Sequence, residues 1–197
     1  MKKLNKALLL ALCAALLVTA SVMGTLAYLT HTTGPVTNTF TVGNISITLD
    51  ETDGDVYGVK DGETRVTENS YKMIPGTTLP KDPKVTVKAG SEACWLFIKV
   101  EKTNNPDTYL NYSIDTTIWK ALPDVNGVYY REVSTVTVDT PYPVLKDNQV
   151  IVKEELTKEQ MTAIGTNYPT LAFTAYAVQK ENVADVTTAW NIANGTN

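Results

Sequence analysis

The side chains that could do chemistry are few and widely spaced. His31 is the only histidine, so no histidine-based zinc site can be assembled. Cys13 lies in an apolar N-terminal run and Cys94 near the middle of the chain. If the run is removed, Cys94 has no partner for an intramolecular disulfide. It then reads as a small buried strand residue, with a reactive or intermolecular thiol as the alternative. No H-E-x-x-H, G-x-S-x-G, Walker loop or Rossmann fingerprint is present. Asp53–Thr64 is the one stretch with the look of a calcium loop. It fails the EF-hand template, because Tyr57 takes the fifth ligand position and Thr64 the twelfth, where Glu is needed. The other carboxylates are scattered through turns, as on any solvated rim, and nothing in their spacing marks a glycosidase pair. The expectation is a chain that is not an enzyme and carries no metal or cofactor.

The informative chemistry is peptide-bond cleavage by another protein. Residues 1–6, MKKLNK, form a positive n-region, and 7–23, ALLLALCAALLVTASVM, an apolar h-region. Two small-x-small sites follow: Val18-Thr19-Ala20 before Ser21, and Thr25-Leu26-Ala27 before Tyr28. Both stay open on the residues alone. An uncleaved anchor is the rival reading, because Ala7–Leu29 is long enough to span a bilayer. The downstream chain has no second hydrophobic span and is expected to be exported either way.

The body that this leader delivers is acidic. The whole chain has 17 Lys+Arg against 21 Asp+Glu, a formal net charge of −4. Lys2, Lys3 and Lys6 leave with the leader, and 14 against 21 gives −7 for the remainder. That balance argues against nucleic acid and against anionic membrane surfaces as partners. Ten Tyr, three Trp and three Phe are enough to build a core in a chain of 197 residues.

The elements read mainly as strands. Gly24–Asp50 has no Lys, Arg or Glu, carries its only acid at Asp50, and is rich in Thr and β-branched residues. Within it, Thr39–Leu49 alternates as a first strand, with its apolar parity switching at Gly43-Asn44. Asp53-Gly54-Asp55 and Asp61-Gly62-Glu63 read as turn tips. Val85–Val87 and Val150–Val152 are short strands. Ala93–Glu101, ACWLFIKVE, is apolar on both faces, as a central strand requires. Tyr109–Leu122 carries one or two strands ending at Trp119. Asn126-Gly127 marks a hairpin tip before a strand over Val128–Val138, which Pro141-Tyr142-Pro143 breaks. Leu171–Gln179 is a second strong strand. Thr157 and Gln160 have capping-box spacing for a helix to Ile164, and Asp185–Ala193 has one apolar helical face. Seven to nine short strands with two small helices predict a single antiparallel β-sandwich over residues 39–197.

The runs GTLAYLT at 24–30, VTNTFTVGNISITLDE at 36–51, MIPGTTLPKDPKVTV at 73–87, AGSEACWLFIKVE at 89–101 and TLAFTAYAVQKE at 170–181 occur in an order that resembles the secreted TasA/camelysin-like proteins of Gram-positive bacteria. The resemblance covers the ends and centre of the chain and is less specific over 103–150. It implies a leader cut by a SipW-type signal peptidase after Ala27, so that Thr25, Ala27 and Tyr28 define the cleavage site. It implies a jelly-roll-like sandwich, and assembly into extracellular fibres of the biofilm matrix, or display at the cell surface, with further copies or sibling matrix proteins as partners. The membrane is then met only through the uncleaved leader. Proteolysis, described for camelysin-like members, is not carried over, because no recognisable metal set is present.

A physical route to assembly follows from the same residues. Cleavage would leave Tyr28–Asn38 as an uncharged, β-prone N-terminal segment, able to add to the open edge of a neighbour's sheet. Head-to-tail repetition of such a contact does not close and builds a filament. A tail or a home strand in its own sheet is the alternative for this segment. A monomeric adhesion or ligand-binding sandwich is the alternative for the whole chain, and a concave aromatic patch including Trp95, Trp119 or Tyr129 would argue for it. N-terminal sequencing of exported protein is expected to start at Tyr28; a start at Ser21 or an uncut leader would overturn the assignment.

Overall fold

The computed structural model describes residues 6, 10–16, 43–55, 58–59 and 64–196. They belong to two units, Met1–Thr41 and Val42–Asn197. In the first, residues 10–16 are helical. No helix among the described residues is long and apolar enough to cross a membrane. The cleavage residues Thr25, Ala27 and Tyr28, the segment 28–38, His31, and the first part of the expected strand at 39–42 lie outside the described residues.

The second unit is an all-β, antiparallel, sandwich-like fold with few short helices. One sheet has the order β11–β6–β1–β4, from β1 (Ile47–Thr52), β4 (Arg65–Val66), β6 (Lys84–Val87) and β11 (Thr140–Pro143). The other has the order β13–β7–β10–β9, from β7 (Cys94–Thr103), β9 (Lys120–Ala121), β10 (Val128–Val133) and β13 (Thr170–Gln179). A smaller sheet joins β5 (Thr78–Pro80), β12 (Gln149–Val152) and β8 (Leu110–Asn111). β2 (Gly54–Asp55) and β3 (Gly58–Val59) form a two-residue ladder. The helices are α1 (Pro106–Tyr109), α2 (Lys158–Ala163) and α3 (Val186–Asn194).

β7 is central because its sequence is apolar on both faces. Cys94, Leu96 and Ile98 enter a core with Val85 and Val87 of β6, Val133 of β10 and Trp119. Trp95 and Phe97 point the other way, into a second core closed by Leu122, Val128, Ala189 and Trp190. The Trp190 ring of α3 lies 5.4 Å from both Phe97 and Tyr176, edge-on to Tyr176. An alternating strand would need one cover; β7 needs two, and α3 with the 122–128 turn supplies the second. β7 pairs with β13 from Thr170↔Thr103 to Gln179↔Cys94 and with β10 from Val128↔Lys99 to Val133↔Cys94.

Several local expectations match. α2 has both halves of the capping box: Gln160 N–H donates to the Thr157 hydroxyl, and Thr157 N–H to Gln160 Oε1. Asp185 caps α3 through Thr188 N–H. Three differ. Pro141 and Pro143 do not end a strand; they lie in β11, an edge strand, where a missing N–H on the outer side costs no ladder bond. Gly54–Asp55 is part of a ladder rather than a turn tip, because Asp53 N–H bonds the Thr64 carbonyl and carries the pairing outward. Between Tyr109 and Trp119, α1, the two-residue β8 and a bridge at Ile114 replace longer strands. The indole of fully buried Trp119 donates to the Pro143 carbonyl at 2.7 Å and pins that irregular segment.

Removing the shared ring of the second core tests this layering. Phe97→Ala is expected to cost about 3–5 kcal/mol in denaturant unfolding. Thr157→Ala, which removes only a cap at the surface, is expected to cost about 1 kcal/mol.

Candidate functional site

A groove opens where the outer side of β1 meets the start of β13. Leu49, Glu51, Val66, Lys81, Leu171 and Phe173 are among its lining residues, and its volume is about 650 Å³. It continues into a chamber of about 380 Å³ walled by Tyr71, Met73, Leu79, Leu110 and Val150. Asn69, Lys81, Thr170 and Leu171 line both parts.

The floor is built by a run of two prolines. Pro80 and Pro83 restrict the chain around Lys81 and Asp82 to extended backbone, placing two opposite charges between β5 and β6. Asp82 turns to Arg65 of β4. Arg65 Nε donates to Asp50 at 2.7 Å, Nη1 to Asp82 at 2.7 Å, and Nη2 to the Asp50 carbonyl at 2.7 Å. Thr52 adds its N–H and hydroxyl to Asp82, at 2.7 and 2.8 Å. Burial alone would push the Asp82 carboxyl up. The bonds from Thr52 and Arg65, with the Arg65 charge, outweigh it and hold the group below the usual carboxylate range. Asn69 closes the far side: its amide donates to the Thr52 carbonyl and accepts from Gly54 N–H.

Lys81 goes the other way. Its ammonium is 2.8 Å from Glu51, with side-chain exposures of 14% and 8%, so this pair is largely withdrawn from water. The same ammonium lies 5.7 Å from the Tyr71 ring centre and 5.9 Å from that of Phe173. Burial, then the nearby Glu51 and Asp82 charges, drives the Tyr71 phenol well above its ordinary value and keeps it neutral.

Both cations of this floor, Arg65 and Lys81, are therefore engaged by its three carboxylates, Asp50, Asp82 and Glu51, and Glu68 adds a further carboxylate to the lining. The arrangement leaves no cation of the floor unpaired and sets the paired charges beside the apolar walls of Leu49, Leu171 and Phe173. Among the described residues no group of three His, Cys, Asp or Glu is placed to hold a metal ion. Asp53 is described, whereas Asp61 and Tyr57 lie outside the described residues.

The residues singled out by sequence have other places. Cys94 is fully buried, and burial pushes its thiol up to about 11, as befits an unreactive core residue. Trp95 and Trp119 are buried and Tyr129 is packed against the first core, so these three present no concave aromatic surface. The Arg65–Asp50–Asp82 cluster and the Lys81–Glu51 pair carry no local motif, since their partners are 15–30 residues apart. Comparison with protein-family profiles, with curated proteins and with solved structures finds no match to this chain.

A carboxyl held low in the folded state contributes stability above its unfolded pKa, and that contribution is lost as pH falls through the folded value. Asp82→Asn is therefore expected to lower stability at neutral pH by about 1–3 kcal/mol. The deficit should shrink once pH drops below about 4. Chemical denaturation of both proteins across this range checks it; a deficit that grows on acidification would contradict it.

Proposed function

We propose that this chain is a secreted structural protein of the cell surface or extracellular matrix. In this reading a SipW-type peptidase cuts after Ala27, and residues 28–38 of one copy add as a strand to the sandwich of the next. The jelly-roll connectivity expected of TasA/camelysin-like proteins belongs to the same reading.

The observation that carries it is the contrast among strand edges. Among the described residues β13 is an edge strand of ten residues, TLAFTAYAVQ, with no charge and no proline. Such an edge exposes a row of unpaired N–H and C=O groups and is a template for another chain. Beside it, β1 pairs with β6 over Ile47–Asp50, while β4 covers only Glu51 and Thr52 on its other side. The opposite edges are blunted. β11 carries Pro141 and Pro143, and β9 has only two residues, one of them Lys120. An open edge at β13 and a donor segment on each copy would give a head-to-tail contact, which propagates as a filament. The groove leaves no cation free to demand an acidic partner, and the donor, YLTHTTGPVTN, has no Lys, Arg, Asp or Glu. Backbone pairing supplies affinity, and alternate side chains enter the groove.

Mature protein starting at Tyr28 is expected to grow into polymers on size-exclusion chromatography and into fibres by electron microscopy. Protein starting at Thr39 is expected to stay monomeric. Fibres of unchanged yield from the shortened protein would overturn the reading, and a persistent monomer from the full mature chain would favour a monomeric binding module.

A further inference from the structure

The chain contains two Asn-Gly pairs, Asn126-Gly127 and Asn194-Gly195. In such a pair the glycine nitrogen can attack the asparagine side-chain carbonyl, because no Cβ on the second residue hinders the approach. The reaction needs a nitrogen free of hydrogen bonds and a backbone not locked in a helix. The structure separates the two pairs on both counts.

Asn126 is exposed at the tip between β9 and β10. Among the described residues, neither its side chain nor Gly127 N–H has a turn or loop hydrogen bond; the neighbouring bonds run from Leu122 N–H to Val128 O and from Val125 N–H to Leu122 O. Glycine is required at 127 for two reasons. Its φ is 75°, and a Cβ there would stand 3.3 Å from the Val100 carbonyl. The fold thus keeps the labile partner in place. Gly195 is held differently. It caps α3, and its N–H is directed at the carbonyls of Asn191 and Ile192. Asn194 is the last residue of that helix. The Asp53-Gly54 pair is restrained in a similar way, since Gly54 N–H donates to Asn69 at 2.9 Å.

We propose that Asn126 is a self-modification site. Gly127 N bonds to Asn126 Cγ, the Cγ–Nδ2 bond breaks and ammonia leaves. Water then opens the five-membered imide to an aspartyl or isoaspartyl linkage at position 126. No enzyme, oxidant or cofactor takes part. The product adds a negative charge close to Asp124, and the isoaspartyl form lengthens the backbone by one methylene. Val100 N–H is bonded to the Gly127 carbonyl at 2.8 Å, and Leu122, Val125 and Val128 pack on the second core. Lengthening this tip pulls on both attachments, so the modification acts as a slow clock on the layer that covers β7.

Peptide mass spectrometry of the purified full chain, aged in mildly alkaline buffer, reads both pairs in one sample. The peptide spanning 126 is expected to gain the mass of an amide-to-acid exchange and to give isoaspartyl fragment ions. The peptide spanning 194 should be unchanged. In protein aged in denaturant both peptides should convert, and Asn126→Ser should abolish the change at the hairpin while the aged wild type loses thermal stability relative to it. Conversion of 194 in the folded protein as fast as 126, or protection of 126 while the denatured control converts, would overturn the proposal.

Discussion

The fold depends on burying both faces of β7. An apolar face left in water would cost about 25 cal/mol per Å² of exposed surface, and β7 has two such faces on adjacent residues. Leu96 and Ile98 are met by the opposing sheet, and Trp95 and Phe97 by α3 and the 122–128 turn. This fixes the position of β13 and β10 on either side of it and makes β13 an edge among the described residues. The exposed edge is a consequence of where the core had to go: β7 takes the centre, β10 fills one side, and β13 is the last strand the chain supplies on the other.

The groove beside that edge owes its character to charge balance. A cation or carboxylate left unpaired in a half-buried cleft would select a charged partner. Here Arg65 lies between Asp50 and Asp82, and Lys81 is matched to Glu51. These interactions hold β1, β4 and the Pro80–Pro83 connector together and leave both cations of the groove floor paired. Under the proposed strand addition, shape, apolar wall and backbone hydrogen bonding would then select the occupant.

The parts of this arrangement that were legible in the sequence are those encoded by local period. ACWLFIKVE reads as a two-faced strand because no polar residue interrupts either parity until Lys99. Thr157 with Gln160, and Asp185 before an i, i+4, i+7 apolar face, give the helices by their caps. The proline pair at 141 and 143 misled, because a proline stops a central strand but is tolerated at an edge, and edge status is a property of the whole sheet. Arg65, Asp50, Asp82, Lys81 and Glu51 look like ordinary surface charges one at a time. Only the pairing of β1 with β4 and β6 brings them together, so the groove could not be read from any window of residues. The expected leader and the proposed donor segment were the reverse: they are read from sequence alone, and Thr25, Ala27 and Tyr28–Asn38 lie outside the described residues.

The central claim is that one copy's N-terminal segment lies along another copy's β13. Ala172 is exposed on β13 and lines the groove, so a cysteine there reports directly on the occupant. Mature protein carrying only Thr33→Cys and mature protein carrying only Ala172→Cys, each with Cys94 left in its buried place, are mixed and oxidised. The account predicts a disulfide-linked heterodimer joining positions 33 and 172, suppressed by an excess of free peptide with the sequence of residues 28–38. Failure of the two proteins to cross-link on mixing, with a 33–172 disulfide forming only inside a single chain carrying both substitutions, would contradict it.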